Sequence, residues 1–374
     1  MKLAIISHTE HFKTRDGTIV GWGPTITEIN HLLDIFDEIY HVAMFHDKEA
    51  PDSAIPYIDD RIKFVPLPAL GGKTLIKKMA IIFQSPRVLS TISSTLKKVD
   101  HFQFRAPTGI GVFVIPYLML LNSKKGWFKY AGNWNQKNAP LSYRIQKWLL
   151  RQQSKPVTIN GKWDNQSKNS LSLENPCLTR SEINTGRSIR EIKDIEGPVN
   201  LCFVGRLEKE KGVLLMIEAL LKLDQNHKKR IGVVHLVGDG LARIKIERRI
   251  ENSDITFELH GFIPREEVQK LYAESHIFIL PSESEGFPKV IAEAMNYGCI
   301  PICSDVSSIG QYISNGRNGL LLDELTKENL VQKLEEVLNY NTSEYQNLIG
   351  GNDEMLKKFT FNYYNKRIKN EILK

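Results

Sequence analysis

A basic segment bounded by glycines has the first side chains in the sequence that suggest chemistry. Gly205-Arg206-Leu207-Glu208-Lys209-Glu210-Lys211-Gly212 lies between the apolar run VNLCFV and the helix-like run GVLLMIEALLKL. Arg206 and Lys211 can converge on one anion, and a helix that begins near Gly212 adds unpaired N–H groups. Two such cations suit a diphosphate, because Arg gives bidentate contacts and Lys a point charge. A solvated charged turn explains the same residues equally well.

A second polar segment, Ser282-Glu283-Ser284-Glu285-Gly286-Phe287-Pro288, follows the apolar run HIFILP. Pro288 suits the first turn of a helix that runs through Asn296, so the segment offers carboxylates, hydroxyls and main-chain donors together. Glu293 lies on the apolar face of that helix, where a buried carboxylate needs a partner. Sugar hydroxyls are such partners, and we expect Glu285 and Glu293 to share one ligand. Each glutamate alone also fits a helix cap or an exposed helix position.

Glycines end two further apolar runs. Gly238 follows HLV and Gly261 follows ELH. Glycine allows the backbone to approach a flat base or a ribose closely. Taken singly, these two positions indicate little.

The elements that position these segments are strands alternating with helices. The alternation covers residues 2 to about 122 and restarts at Pro198, which predicts two α/β units with parallel sheets. We predict an N-terminal domain over 1–180 with a polar linker to about 196, a ligand-binding domain over 197–355, and a C-terminal helix over 356–374 that packs on the first domain. Ligands of such sheets bind beyond the carboxyl ends of the strands.

Composition limits the class of protein. The 374 residues carry a net charge of +7, which favours an anionic partner. No segment has the roughly 18 apolar residues of a membrane span, and Ile110–Leu121 predicts a buried helix or strand. The N-terminal MKLAIISH predicts a first strand, not a secretory signal. The four cysteines lack metal-site spacing and predict buried free thiols in a reducing, cytoplasmic compartment.

Together the segments resemble the C-terminal half of the family 4 retaining glycosyltransferases. The matching stretches are FVGRLEKEKG, VGDG, HGFIPREEV, LPSESEGFPKVIAEAM and GCIPICSD with NGRNGLLL, in the family's order and spacing. The resemblance implies a GT-B fold, in which two Rossmann-like doubly wound domains face each other across a cleft. It also implies a UDP- or GDP-sugar donor, a glycan or lipid-linked acceptor, and no cofactor, metal or nucleic acid.

The resemblance further implies roles for single residues. Arg206 and Lys211 match the residues that bind the donor diphosphate and stabilise the leaving group, and Glu285 matches the acid that contacts the donor sugar. Glu293 matches the residue that holds the ribose. The remaining expected donor contacts come from backbone and neighbouring side chains: Gly205, Gly238, Gly261, Phe262, Ile263, Ser284, Gly286, Phe287 and Pro288.

The sequence departs from the family in two places. Many members have Gly at the position of Pro288, so one backbone donor near the sugar is missing. Many members also have a catalytic His in the N-terminal domain, for which Arg105 and His101 are the candidates here. Gly23, with Gly17 and Gly21, follows the first strand as glycines do in the family.

Other interpretations remain open. A dehydrogenase motif begins at Gly21-Trp22-Gly23 but has Ile26 in its last position, and Gly72-Lys73-Thr74 lacks the first glycine of a P-loop. A sugar-nucleotide epimerase or an inactive partner subunit on the same fold would carry the same motifs. The predicted helix from Lys73 to Phe83 alternates Lys with apolar residues, which suits either a core-facing helix or peripheral contact with an anionic membrane. The abundance of Ile, Lys and Asn suggests a bacterium, where enzymes of the resembled family often build capsule, exopolysaccharide or lipopolysaccharide.

Overall fold

The chain forms two α/β units in the computed structural model. The structure describes residues 1–72, 74–136, 138–164, 166–286 and 288–374, with the side chains of residues 75–78 also outside the description. The first unit comprises Met1–Asn175 and Phe361–Lys374, and the second comprises Pro176–Thr360. Each unit has its own buried core.

The first unit is built on one sheet. Its strands are β1 (Lys2–Lys13), β2 (Ile19–Trp22), β3 (Glu38–Phe45), β4 (Ala54–Pro56), β5 (Ile62–Pro68), β6 (His101–Ala106), β7 (Lys125–Tyr130), β8 (Val157–Ile159) and β9 (Ser170–Ser172). Parallel pairing gives the order β5-β3-β1-β6-β7-β8-β9, while β2 pairs antiparallel with the end of β1 and with β4. This order reverses direction at β1, as in doubly wound sheets.

Helices connect these strands. They are α1 (Gly23–Leu32), α2 (Leu75–Phe83), α3 (Ser85–Leu96), α4 (Gly111–Leu120) and α5 (Leu141–Gln152). The apolar stretch predicted as a buried helix or strand is α4, with Val114, Ile115 and Leu118 buried and Leu120 exposed. Among the described residues, no helix is both long and apolar enough to cross a bilayer.

The second unit has a parallel sheet in the order β12-β11-β10-β13-β14-β15. Its strands are β10 (Val199–Val204), β11 (Ile231–Val237), β12 (Thr256–Gly261), β13 (Ile277–Leu280), β14 (Ile300–Ser304) and β15 (Leu320–Leu322). Its helices are α6 (Arg180–Ile192), α7 (Val213–Lys222), α8 (Gln225–Arg230), α9 (Arg243–Ile250), α10 (Arg265–Glu274), α11 (Lys289–Asn296), α12 (Lys327–Leu338), α13 (Thr342–Gly350) and α14 (Asp353–Lys357). The buried strands read as continuous apolar runs because helices cover both faces of such a sheet.

The polar stretch predicted as a linker contains a helix of the second unit. In α6, Thr179 and Glu182 form a capping box, in which each side chain accepts from the backbone N–H of the other. The helix buries only Gly186 and Arg190, so its apolar period is too weak to detect by pattern. The prediction of a linker over 180–196 is therefore wrong, and the second unit begins at Pro176.

The C-terminal residues are grouped with the first unit. Helix α15 (Phe361–Arg367) continues as a π-helical turn, Ile368–Ile372. The Asn365 amide donates to the His31 carbonyl, and the ring of Phe361 stacks on His31 at 3.8 Å between centroids. These contacts tie the end of the chain to α1.

All four cysteines are free and buried, as the sequence predicts. Burial raises the pKa of Cys177 and Cys202 well above the usual thiol value, because a charged thiolate is poorly solvated there. These thiols pack as small apolar side chains.

Candidate functional site

The segments that the sequence singled out leave adjacent strands of the second sheet. Strand β10 pairs with β11 on one side and with β13 on the other, and the strand order reverses between β10 and β13. Residues 205–212 follow β10 and residues 281–288 follow β13. Both segments therefore lie at the carboxyl edge, at the switch point where doubly wound sheets bind ligands.

Gly212 brings the two segments into contact. The 3₁₀ turn Lys209–Lys211 ends at Gly212, whose φ is +74° and which caps the N-terminus of α7. A Cβ at this position would lie 1.9 Å from the carbonyl oxygen of Pro281, so only glycine fits. Nearby, the N–H of Glu283 donates to the carbonyl of Glu210 at 2.9 Å. These contacts fix the position of Lys211 relative to Glu285.

Lys211 and Glu285 form an ion pair. The Lys211 Nζ lies 2.5 Å from Glu285 Oε1, and the Ser282 hydroxyl donates to the same oxygen at 2.7 Å. The side chains of Lys211 and Glu285 are 22% and 9% exposed. Charge-assisted hydrogen bonds at a partly buried position hold both groups in one orientation. The two-segment arrangement that the sequence predicts is thus present at Lys211 and Glu285.

Arg206 has a different environment. Its guanidinium bonds Glu208 Oε1 at 2.8 Å, and its side chain is 70% exposed. Each of the two predicted cations therefore has its own carboxylate partner. An exposed pair of this kind contributes little to stability, so the Arg206 side chain can reorient at low cost.

Glycines bring three strand ends together beside Arg206. The N–H of Gly205 donates to the Val237 carbonyl at 3.0 Å, and the N–H of Gly238 donates to the Gly261 carbonyl at 2.7 Å. Gly238 has a φ of +125°, and a Cβ there would lie 2.0 Å from the Gly205 oxygen. After Gly261 the chain continues with exposed Phe262 and half-buried Ile263. The glycines predicted to contact the nucleotide-sugar donor through their backbone thus lie together at the carboxyl edge of the second sheet.

Glu293, in α11, belongs to a separate network. Its Oε1 accepts from Arg265 at 2.7 Å, and Arg265 also donates to Glu182 at 3.0 Å and to the Cys177 carbonyl. Burial opposes the charge of Arg265, but Glu293 and Glu182 outweigh it and raise the pKa of its guanidinium. No sequence pattern distinguishes Arg265, because its position just inside a helix is also that of an ordinary exposed charge. The partner that a partly buried carboxylate needs at Glu293 is present within the protein.

The segment after β13 is supported by the next strand. The Ser304 hydroxyl donates to the Ser282 carbonyl, and the Ser308 hydroxyl donates to the Gly286 carbonyl at 3.3 Å. Pro288 is the N-cap of α11, with Ser284 exposed before it. Phe287, also predicted to contact the donor, lies outside the described residues. No sequence pattern marks the two supporting serines, since they act through the backbone of another segment.

A cavity of about 290 Å³ adjoins these segments from the other side. Its lining includes Lys209, Gly212, Pro281 and Glu283, but not Lys211 or Glu285. It therefore lies beside the ion pair and does not enclose the groups expected to bind a donor.

In the first unit, the structure separates the two candidates for an N-terminal catalytic residue. Arg105 is near the carboxyl end of β6, but it donates to Gln103 and Thr25 and forms an ion pair with buried Glu28. His101 begins β6, so about four residues of strand, ~13 Å, separate it from Arg105. The prediction of His101 fails on this ground, because the amino end of a parallel strand is the wrong edge.

Gly23 is the first residue of α1 rather than part of an open loop. Its N–H donates to the Ser53 carbonyl at 3.0 Å. The Gly23 N–H is therefore already hydrogen-bonded within the protein. For this N–H to contact the nucleotide-sugar donor, as predicted, the bond to Ser53 would have to break.

Comparison with known sequences finds a family match within the second unit. Residues 186–354 match the family model described as glycosyl transferases group 1. An uncharacterized glycosyltransferase of Methanocaldococcus jannaschii is 32% identical over 175 residues, covering 46% of this chain and 47% of that protein. A Campylobacter jejuni enzyme is named "GalNAc-alpha-(1->4)-GalNAc-alpha-(1->3)-diNAcBac-PP-undecaprenol alpha-1,4-N-acetyl-D-galactosaminyltransferase". It is 29% identical over 171 residues, covering 45% of this chain and 44% of that protein. The chain thus spans about half the length, or less, of these relatives.

Solved structures extend the likeness to the fold of the whole chain. Sucrose-phosphate synthase from Thermosynechococcus elongatus gives a TM-score of 0.75 at 15% identity, covering 99% of this chain and 97% of that one. Anabaena HepE, solved in complex with UDP, gives 0.71 at 14% identity, covering 99% and 98%. The chain has the GT-B fold of these structures, and residues 186–354 are similar in sequence to the group 1 glycosyltransferases.

Proposed function

We propose that the protein is a retaining family 4 glycosyltransferase that moves a sugar from a UDP- or GDP-sugar to a glycan or lipid-linked acceptor. The observation that carries this proposal is the Lys211–Glu285 pair at the switch point, where segments from two neighbouring strands are joined through Gly212. A cation and a carboxylate held together there can face the diphosphate and the sugar of one donor.

Different residues at this edge contact different parts of the nucleotide-sugar donor. Lys211 and Arg206 face the diphosphate, Glu285 accepts from the sugar hydroxyls, and the Gly238–Gly261 edge with Phe262 and Ile263 lies against the base. Glu293 accepts from the ribose, with its Oε1 held 2.7 Å from the Arg265 guanidinium. Ser284 and Gly286 complete the sugar end, and Pro288 fixes the start of α11.

The chemistry that this arrangement supports is displacement at the anomeric carbon. The bond from that carbon to the β-phosphate oxygen breaks, and its electron pair goes to the diphosphate. The acceptor hydroxyl oxygen forms the new bond on the same face, and its proton goes to the departing phosphate oxygen. Lys211 and Arg206 stabilise the growing negative charge, which is usually the largest catalytic contribution. With two cations in this role, we propose that transfer requires neither a metal ion nor another cofactor.

The relatives support the substrate class. HepE was solved with UDP and with UDP-glucose, and the Campylobacter enzyme is named for an undecaprenyl diphosphate-linked acceptor. Other relatives are named for colanic acid and amylovoran biosynthesis. We therefore propose a place in bacterial surface polysaccharide synthesis.

The first unit has a cavity whose lining suits a glycan carrying phosphate. It measures about 260 Å³ and is lined by Trp134, Tyr143 and Trp148 together with basic Arg144 and Lys147. Aromatic faces contact sugar rings, and the cations attract phosphate oxygens. This lining supports an acceptor that is a phosphorylated or lipid-diphosphate-linked glycan.

We also propose a cytoplasmic location with peripheral contact to the inner face of the membrane. In α2, the side chains of Met79, Ile82 and Phe83 are 52%, 66% and 74% exposed, as expected for a membrane-contacting helix. The prediction for Lys73 and for the side chains of Lys77 and Lys78 lies outside the described residues. Flotation with anionic liposomes tests this contact, and absence of binding at low salt would contradict it.

The enzymatic proposal is tested with a panel of UDP- and GDP-sugars, each with and without lipid-linked acceptors and without added Mg²⁺ or Mn²⁺. We expect one donor to release nucleotide only when an acceptor is present and to give a retained linkage. A modified free sugar without acceptor would indicate an epimerase instead. Donor binding without any turnover across the panel would indicate an inactive partner subunit.

A further inference from the structure

Two histidines and a glutamate converge on one face of the second sheet, outside the donor site. His235 in β11 is paired in register with Glu258 in β12, and His260 lies two residues further along β12 on the same face. The His235 Nδ1 is 3.1 Å from the His260 Nε2 and 3.3 Å from a Glu258 Oε2 that lies 3.6 Å from the same His260 nitrogen. Three ligand-type atoms thus form a nearly equilateral triangle.

We propose that His235, Glu258 and His260 bind one divalent transition-metal ion, for which Zn²⁺ is the probe. Bonds of about 2.0–2.2 Å from zinc to imidazole nitrogen and carboxylate oxygen place neighbouring tetrahedral ligands about 3.3–3.6 Å apart. The observed separations of 3.1, 3.3 and 3.6 Å fall close to this spacing. Little movement of the side chains is therefore needed to close the triangle around an ion, with water as the fourth ligand.

The ligand set selects the kind of ion. Two imidazoles and one carboxylate suit Zn²⁺, Co²⁺ or Ni²⁺, whereas Ca²⁺ and Mg²⁺ prefer all-oxygen sites. Without an ion, the two ring nitrogens share one hydrogen, because only one of them can donate to the other. A bound ion would use the lone pairs of both rings and the negative charge of Glu258 together.

A second cluster of similar composition shows what distinguishes this site. Asp224, His227 and Glu335 also lie close together. However, His227 Nδ1 contacts Asp224 at 2.9 Å, and its Nε2 contacts the Asn339 amide at 3.2 Å. Both ring nitrogens of His227 are thus already used to join α8 to the end of α12, so this cluster serves as a structural contact.

The site has access to solvent and a position that links it to the sheet edge. The carboxylate of Glu258 is 50% exposed and His260 is 22% exposed, whereas His235 is 6% exposed. His260 directly precedes Gly261, whose carbonyl accepts from Gly238. An ion here would clamp the carboxyl ends of β11 and β12 together, whichever substrate the donor site takes.

The test is a calorimetric titration of the metal-free full-length protein with Zn²⁺. We expect one strong site per chain, a higher unfolding temperature with Zn²⁺ present, and binding at least ~10-fold weaker in His260→Gln and in Glu258→Gln. These two positions are chosen because their side chains reach solvent and their replacement leaves the buried core unchanged. The four cysteines are buried and do not compete for the ion.

His227→Gln is the matched control, since it removes the imidazole of the second cluster. It should bind Zn²⁺ as the unchanged protein does. Equal affinity in the unchanged protein, His260→Gln and Glu258→Gln would overturn the proposal, as would a loss in His227→Gln equal to theirs. Neither result bears on sugar transfer, which is measured separately.

Discussion

One carboxylate oxygen of Glu285 accepts hydrogen bonds from two segments, through Lys211 and Ser282. The ammonium and the Ser282 hydroxyl both contact Glu285 Oε1, so one oxygen of Glu285 is held within the protein. A carboxylate fixed in this way is already oriented toward a ligand. Binding of the nucleotide sugar therefore costs less free energy for ordering the side chains. Arg206, which is exposed and forms an ion pair with neighbouring Glu208, lacks this fixed orientation.

We therefore expect Lys211→Ala to lower kcat about 100-fold or more, because it removes the fixed positive charge next to the leaving diphosphate. Initial rates with the active donor and acceptor measure the loss, and circular dichroism verifies the fold. Lys222→Ala is the matched control, since Lys222 forms a surface pair with Glu328 at 2.8 Å. Turnover unchanged in Lys211→Ala would refute the diphosphate assignment.

Arg206→Ala should also lower turnover strongly, but with the free energy of unfolding unchanged. The exposed pair with Glu208 contributes ~0–1 kcal/mol, so nothing in the fold depends on it. Parallel urea unfolding and rate measurements separate the two effects. A stability loss matching the activity loss would mean that Arg206 acts through the fold.

At the level of elements, the contact between the two segments depends on one glycine. Gly212 combines a positive φ with a carbonyl of Pro281 where a side chain would begin. The positive φ and the close carbonyl occur together because α7 begins directly beside the segment that follows β13. The start of this helix therefore sets the geometry of the ion pair.

Gly212→Ala should lower the free energy of unfolding by about 2–4 kcal/mol, combining left-handed backbone strain with overpacking. Because the two segments would separate, we also expect transfer activity to fall. Gly197→Ala is the matched control, since its Cβ would meet nothing within 4 Å. Urea unfolding of both variants provides the comparison, and equal stability would contradict the close contact.

Elements with strong apolar periods could be predicted from sequence, and those stabilised by polar contacts could not. The buried strands and α7 follow directly from their apolar runs, and the site's position follows from their order. Helix α6 was missed because its evidence is a capping box and a buried Arg190, not a stripe of apolar residues. The partners of Arg105 and Glu293 were equally unpredictable, since they come from distant parts of the chain.

On the scale of the whole molecule, each unit contains a histidine that resists protonation, buried in the first unit and partly buried in the second. Burial lowers the pKa of His11 in the first unit and of His276 in the second to about 4 in each case. At His276, the nearby Lys193 lowers the pKa further, and Nδ1 accepts from the N–H of Asn200 at 3.0 Å. Protonating that nitrogen would remove an acceptor between β10 and β13.

These histidines make both units sensitive to acid. A folded-state pKa below the unfolded value of about 6.5 means that the unfolded chain binds protons first as the pH falls. Stability is therefore complete above about pH 6.5 and declines toward pH 4, by up to ~1.4 kcal/mol per pH unit for each histidine. Urea unfolding at about pH 7 and about pH 5 measures this decline. His276→Gln should reduce the decline for the second unit, because glutamine does not titrate, and burial also lowers the pKa of His235, which leaves part of the decline in place. An equal decline in His276→Gln would mean that other groups account for the acid sensitivity of that unit.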